Sequence, residues 1–228
     1  WMHLLVAWDT TQATAADRIK LYVNGSLATV SYTAPSLNHD GGVNQNHEHR
    51  ILRHKDVYGA EYIPAYLTNV HLIDGQALTP SSFGETDTAT GSWKPKAYSG
   101  TYGTNGFELD FAASGDLGND VSGNNNDFTK NGTVTQTTDS PTDSAASNVG
   151  NYATFNALDN KINTLSDGNL TSAGTGADNI SRVTVWPTTG KWYWEFDNKN
   201  SASNNFGVTS TAFDMNTPAA MATAGTAN

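Results

Sequence analysis

Cysteine is absent from all 228 residues. That excludes a disulfide framework, a thiol nucleophile and a structural zinc site of the cysteine type. Small secreted animal domains usually carry disulfides, so the absence favours assembly inside a reducing cell. Positive charge is scarce as well: 12 Lys and Arg stand against 22 Asp and Glu, a net charge of −10. Nucleic-acid binding needs clustered cations, and the best cluster, "HRILRHK" at 49–55, is short and followed by acids. Neither nucleic acid nor an anionic membrane surface is therefore expected as a partner. Long apolar runs are missing too. The longest, Leu4 to Trp8, falls far short of the roughly 20 residues of a spanning helix, so no membrane insertion is expected. There is no Gly-x-Ser-x-Gly elbow, phosphate loop or dinucleotide fingerprint, which leaves nucleophilic catalysis without a candidate.

Thr, Ser, Asn and Gly take the place of the missing charge. Charged residues make up 15%, against about 25% in average globular proteins. Helix surfaces use Glu, Lys and Arg, whereas strand surfaces use Thr and turns use Asn and Gly. Six Trp and nine Tyr argue against wholesale disorder. The composition is that of an all-β protein rich in turns.

The order of the chain agrees. "WMHLLVAW" at 1–8 reads as a buried strand. In "RIKLYVNGSLATVSY" at 18–32, Ile19, Leu21 and Val23 alternate with polar residues up to Asn24-Gly25, and an apolar run returns through Leu27 and Val30. Asn-Gly between two such runs is the strongest local hairpin signal, because both turn residues need positive φ. Residues 33–50 read as a polar loop. A strand is expected over about 65–73, turned by Asp74-Gly75 and followed by one helical turn with Thr79 as cap and Pro80 in the first helical position. Residues 86–106 form a connector whose Trp93, Tyr98 and Tyr102 imply that it is packed down. "FELDF" at 107–111 is a strand, and 133–150 is an exposed loop. Further strands are expected at 151–159, 181–187, 191–197 and 204–211. No helix longer than one turn and no fixed-period repeat is found. The chain starts at Trp1 and ends without a closing strand, so it is expected to be a stretch of a longer polypeptide.

Four groups of residues could carry chemistry. Jelly-roll glucanases set their acids along a strand as Glu-x-Asp-x-x-Glu, bringing two carboxyls within about 5–5.5 Å. Glu108-Leu109-Asp110 and Glu195-Phe196-Asp197 begin that pattern, but Ala113 and Asn200 stand where the second acid belongs. His47, Glu48, His49 and His54 crowd a loop without any catalytic zinc spacing, and read as solvated. His3 and His71 alternate with apolar neighbours and read as outward-facing strand residues. The run "DLGNDVSGNNNDFTKNG" at 116–132 fails as an EF-hand from Asp116, because Gly118 holds the third position, and from Asp120, because Asn131 holds the twelfth. Calcium held by Asp116, Asp120, Asn124 and Asp127 is left open as the one cofactor. Trp192 and Trp194 share a strand face and read as core. Trp93, Tyr98 and Tyr102 read either as a glycan platform or as pins for the connector.

Several of these stretches resemble known families. "WMHLLVAWD…RIKLYVNGSLATV" looks like the middle of a laminin-G-like, concanavalin A-like jelly roll, and 62–84 resembles that family's closing strand and helical turn. "HLIDGQALTPSSFGETDTATGSWKPKAYSGTYGTNGFELDF" at 71–111 resembles a segment that recurs in tail-fibre and other virion proteins of tailed bacteriophages. "TLSDGNL" at 164–170, "GKWYWEF" at 190–196 and "FGVTSTAF" at 206–213 resemble the first half of a SPRY domain, itself a concanavalin A-like sandwich. The turn Asp120-Val-Ser-Gly-Asn124…Asp127 fits the "D-x-SGN-x-x-D" turn after the opening strand of laminin-G-like domains, some of which bind calcium through an Asp and backbone carbonyls. The resemblance implies two tandem jelly rolls. The first covers 1–85, the connector 86–106, and the second, incomplete, 107–228. It implies a non-enzymatic structural component of a phage virion, a tail fibre or similar appendage, assembled in the host cytoplasm. Partners would be other virion proteins, copies of itself (fibres are commonly trimers) and host-surface glycans. The rival expectations are a capsid decoration protein and a secreted bacterial carbohydrate-binding or glycan-degrading protein.

Overall fold

In a computed structural model, residues 1–56, 59–88, 91–142, 150–161, 163–174, 179–185, 191, 193–199 and 207 are described. Their regular structure is strands and two single turns of 3-10 helix, Ala15–Asp17 and Pro80–Ser82. The all-β class expected from composition is what is found. Contacts divide the chain into a unit of residues 1–151 and a unit of residues 152–228.

The first unit opens with an antiparallel sheet of β1 (Leu4–Trp8), β2 (Ile19–Val23) and β3 (Ser26–Leu27), in the order β1-β2-β3. Leu4 pairs with Val23, Val6 with Leu21 and Trp8 with Ile19. Directly opposed residues share a face, so these six apolar side chains form one stripe. Asn24 and Gly25 make the expected turn, with φ of 46° and 81°. That is a type I′ turn, whose twist matches the strands it joins. The returning strand is shorter than expected and stops at Leu27. β1 is also less buried than its composition suggests. Leu4, Val6 and Trp8 stay 55, 61 and 41% exposed, while Leu5 and Ala7 on the other face are half-buried.

A polar hairpin of β4 (Arg53–Asp56) and β5 (Gly59–Tyr62) follows. It carries no apolar alternation, which is why its sequence gives no strand signal. The Arg53 guanidinium lies 5.5 Å from the Tyr62 ring centre, a cation–π contact across the pair. The strand expected over 65–73 is confined to β6 (Val70–Leu72). Gly75 turns the chain with φ 81°. The helical turn at Pro80–Ser82 has Thr79 at its N-cap position, but the Thr79 hydroxyl meets Ser81 Oγ at 3.0 Å instead of capping a backbone N–H.

β7 (Gly84–Thr86) pairs with β8 (Trp93–Pro95), so the expected connector contains a strand of its own. β9 (Phe107–Leu109) pairs with β6, joining residues some 35 positions apart: Val70 with Leu109, His71 with Glu108, Leu72 with Phe107. This pairing ties the far side of the expected connector back to the first unit. By contacts, residues 86–151 group with 1–85 in the first unit. Among the described residues Leu109 is the most deeply buried large side chain, and Phe83 and Leu117 are buried in this unit as well. In the loop expected at 133–150, residues 133–136 are exposed. Its ends are drawn together where Ser140 N–H bonds Gly150 O at 2.8 Å. Residues 143–149 lie outside those described.

The second unit holds β10 (Phe155–Lys161) paired with β13 (Ile180–Val183), irregular between Phe155 and Asn160. A separate hairpin joins β11 (Thr164–Ser166) and β12 (Thr171–Ala173). Asp167, Gly168 and Asn169 in its turn all have positive φ. Asp159 bonds Arg182 across β10 and β13. Ser181 Oγ donates to Asn160 Oδ1 at 2.6 Å and accepts from Asn163 Nδ2 at 2.7 Å. The strand expected at 191–197 is not formed by Lys191 and residues 193–197. Tyr193 and Trp194 are 83 and 61% exposed there, so Trp194 is not the core residue its spacing implied. Trp192 and the strand expected at 204–211, apart from Gly207, lie outside the described residues.

Candidate functional site: the Asp120 turn and the aromatic seam

The Asp/Asn/Gly-rich run is built around one carboxylate. Asp120 is 6% exposed. Its Oδ1 accepts the N–H groups of Glu108 and Ser122, both at 2.9 Å. Its Oδ2 accepts the Ser122 hydroxyl and the Asn126 N–H, again at 2.9 Å. Burial alone would raise its pKa, but these four donors outweigh burial and hold the carboxyl below the ordinary carboxylate value. Asp127 accepts the N–H of Asp120 itself at 2.9 Å. Asn124 Nδ2 donates to Gly103 O and Gly106 O, and Asn126 Nδ2 to Thr104 O and Gly106 O, so both amides stitch the turn to 103–106. Gly118 lies against the backbone of Phe128, where a Cβ would come within 1.7 Å of the carbonyl oxygen. Only glycine permits that approach.

Of the four residues named for calcium, Asp120, Asn124 and Asp127 come together. Asp116 is exposed and belongs to a separate turn, with Ala113 and Asn119 as its backbone partners. The Asp120 oxygens face hydrogen-bond donors, the opposite of the all-oxygen shell that a hard cation takes. Among the described residues no group of three or more His, Cys, Asp or Glu could hold a metal ion.

The three aromatics of residues 86–106 are also committed to neighbours. Trp93 stacks on His3, with ring centres 5.6 Å apart and planes 20° apart. Its ring fills the space that a Cβ at Gly25 or Gly84 would need. Tyr98 stacks on Phe83 at 5.1 Å and meets Tyr102 edge-on at 5.1 Å. Tyr102 stacks on His71 at 6.2 Å, and His71 also meets Phe83 at 5.3 Å. Phe83 and Gly84, adjacent in sequence, thus touch both stacks. The Tyr102 hydroxyl donates to Glu108 and lies 3.4 Å from His71 Nδ1. Burial, reinforced by the Glu108 carboxylate, raises the Tyr102 pKa well above the ordinary phenol value.

This placement corrects the reading of the two strand histidines. His3 and His71 do not face outward; both are half-buried against aromatic rings. Burial lowers the pKa of each, and for His71 it does so against the opposing pull of Glu108. Sequence reasoning missed the His71–Glu108–Tyr102 group. No local signal announces it, because it depends on the register of β6 against β9.

The other candidates are scattered. Asp110 accepts the Ala112 N–H at 3.0 Å, while Glu108 is engaged by Tyr102, so the half-pattern of a glucanase is divided between two local jobs. Glu195 accepts the Tyr193 hydroxyl at 2.6 Å. His49 Nδ1 contacts the His47 carbonyl at 2.9 Å, Glu48 pairs with Arg50, and His54 is exposed on β4. No family model, curated protein or solved structure matches this chain.

Proposed function

We propose that this chain is a structural, non-enzymatic component of a bacteriophage virion, a tail fibre or similar appendage, built from concanavalin A-like jelly-roll sandwiches. The likeness of residues 71–111 to a recurring tail-fibre segment gives the reading its direction. The observation that carries it is the employment of the polar groups. Asp120 is surrounded by four protein donors. Glu108 is tied to Tyr102. The aromatics of the same segment stack on His3, Phe83 and His71. Groups held in this way fix a scaffold, whereas catalysis or ligand exchange needs groups that can let go of their partners. The lack of cysteine and the low charge fit a particle assembled in the host cytoplasm. The exposed stripe of Leu4, Val6 and Trp8 fits a chain that associates with copies of itself or with other virion proteins. Contact with host glycans is the accessory role in this reading. The test is mass spectrometry of gradient-purified phage particles. Peptides of this chain at a stoichiometry of a few copies per particle support it, and their absence from particles contradicts it.

A further inference from the structure

Two imidazoles occupy the joint between the aromatic segment and the sheets of the first unit. His3 precedes β1 and carries the Trp93 ring on its face. Its Nδ1 is buried and has no hydrogen-bond partner among the described residues, and neither does the neighbouring Trp93 Nε1. His71 sits in β6, directly opposite Glu108 of β9, and is flanked by the rings of Phe83 and Tyr102. We propose that the His3–Trp93 and His71–Tyr102 stacks form an acid-released latch. It holds residues 93–102 against β1 and β6 while both imidazoles are neutral, and lets that segment go when they take up protons.

The chemistry of each ring decides the direction. A neutral imidazole can leave one nitrogen as a bare acceptor, and a buried acceptor without a partner is tolerable. A protonated one must donate from both nitrogens. Protonated His3 would therefore present a charged N–H at Nδ1 where the described residues offer no acceptor, which is far costlier. The Trp93 face would attract the cation and recover part of that cost. Around His71 the charged and titratable groups are Glu108 from β9, Tyr102 and Tyr98 from the segment itself, and His3 from the start of β1. Asp120 acts on Tyr102 from the turn behind it. Among the described residues only Glu108 directly favours a charged His71, and it already accepts the Tyr102 hydroxyl. His3 opposes it, since two imidazolium ions would repel. The lowered pKa values of both histidines agree with this geometry. Linkage follows: the folded state prefers fewer protons than the unfolded chain. Stability is full above the ordinary histidine value of about 6.5 and falls as pH drops below it.

The experiment is a titration of the 228-residue chain from neutral to mildly acidic pH. Near-ultraviolet circular dichroism reads the aromatic stacks, far-ultraviolet dichroism the strands, and proton NMR the six histidine C2 resonances. His3 and His71 are expected to titrate below the ordinary histidine value, together with a loss of near-ultraviolet signal while the strand signal persists. The variants His3→Gln and His71→Gln should each weaken that transition, and the double variant should abolish it. His71→Phe keeps a stacking ring without a titratable proton, so it serves if the Gln variant is poorly folded. The proposal is overturned if His3 and His71 titrate at the ordinary value with no dichroism change. It is equally overturned if the wild-type transition survives in the double variant.

Discussion

At the scale of single residues, Trp93 and Asp120 separate a structural reading from a binding one. Trp93 meets His3, Gly25 and Gly84, so its removal opens a hole in the first unit. Trp93→Ala should lower unfolding stability by about 3 kcal/mol, the low end for such truncations because the ring is only half-buried. Urea unfolding of the variant measures this. A stable variant that loses only glycan binding would support the glycan-platform reading. Asp120→Ala leaves the N–H groups of Glu108, Ser122 and Asn126 without their acceptor. The expected loss is about 3 kcal/mol, in the range for hydrogen bonds to a charged group that leave buried donors behind. Because the Asp120 pKa is depressed, its contribution is complete above the unfolded carboxylate value and is lost as pH falls through the folded one. Calcium should leave the melting temperature of the wild-type chain unchanged. A rise with calcium concentration would mean that the folded state binds it.

At the scale of elements, legibility followed how local each signal was. The Asn24-Gly25 hairpin was readable because turn chemistry and strand alternation lie within one short stretch. Pro80 marked its helical turn for the same reason. The hairpin of β4 and β5 was invisible, since neither "RHKD" nor "GAEY" alternates in polarity. Strand 191–197 was over-read: its aromatic alternation fits the strand pattern, yet Tyr193 and Trp194 remain exposed. The pairing of β6 with β9 was beyond reach, because a three-residue strand says nothing about a partner some 35 positions away. The candidate site suffered most from this. Glu108, His71 and Tyr102 each draw a separate reading in sequence and become one group only through that register. Gly25 tests the readable end. It combines φ 81° with a Trp93 ring that would lie 2.3 Å from a Cβ. Gly25→Ala should therefore cost at least about 2 kcal/mol, more than the strain of a left-handed residue alone. Thermal unfolding checks it, and a neutral result would mean that the ring moves aside freely.

At the scale of the whole molecule, composition was enough for the all-β class but not for the division into units. Lack of charge, abundant Thr and Gly, and spaced aromatics all speak of strands and turns. They do not say which strands share a sheet. By contacts the first unit runs through residue 151, and within it β9 reaches back to β6 with its Leu109 buried. A fragment of residues 1–151 should consequently fold, as judged by dispersed amide NMR signals, whereas residues 1–106, lacking β9, should not. A folded 1–106 would instead favour a boundary at the connector. The proposed role stands above all of these details, and one image tests it most directly. Immunogold electron microscopy of purified phage particles, with antibody raised against this chain, should place label on tails or tail appendages. Label on capsids alone would move the chain to the head, and particles without label would contradict the virion role altogether.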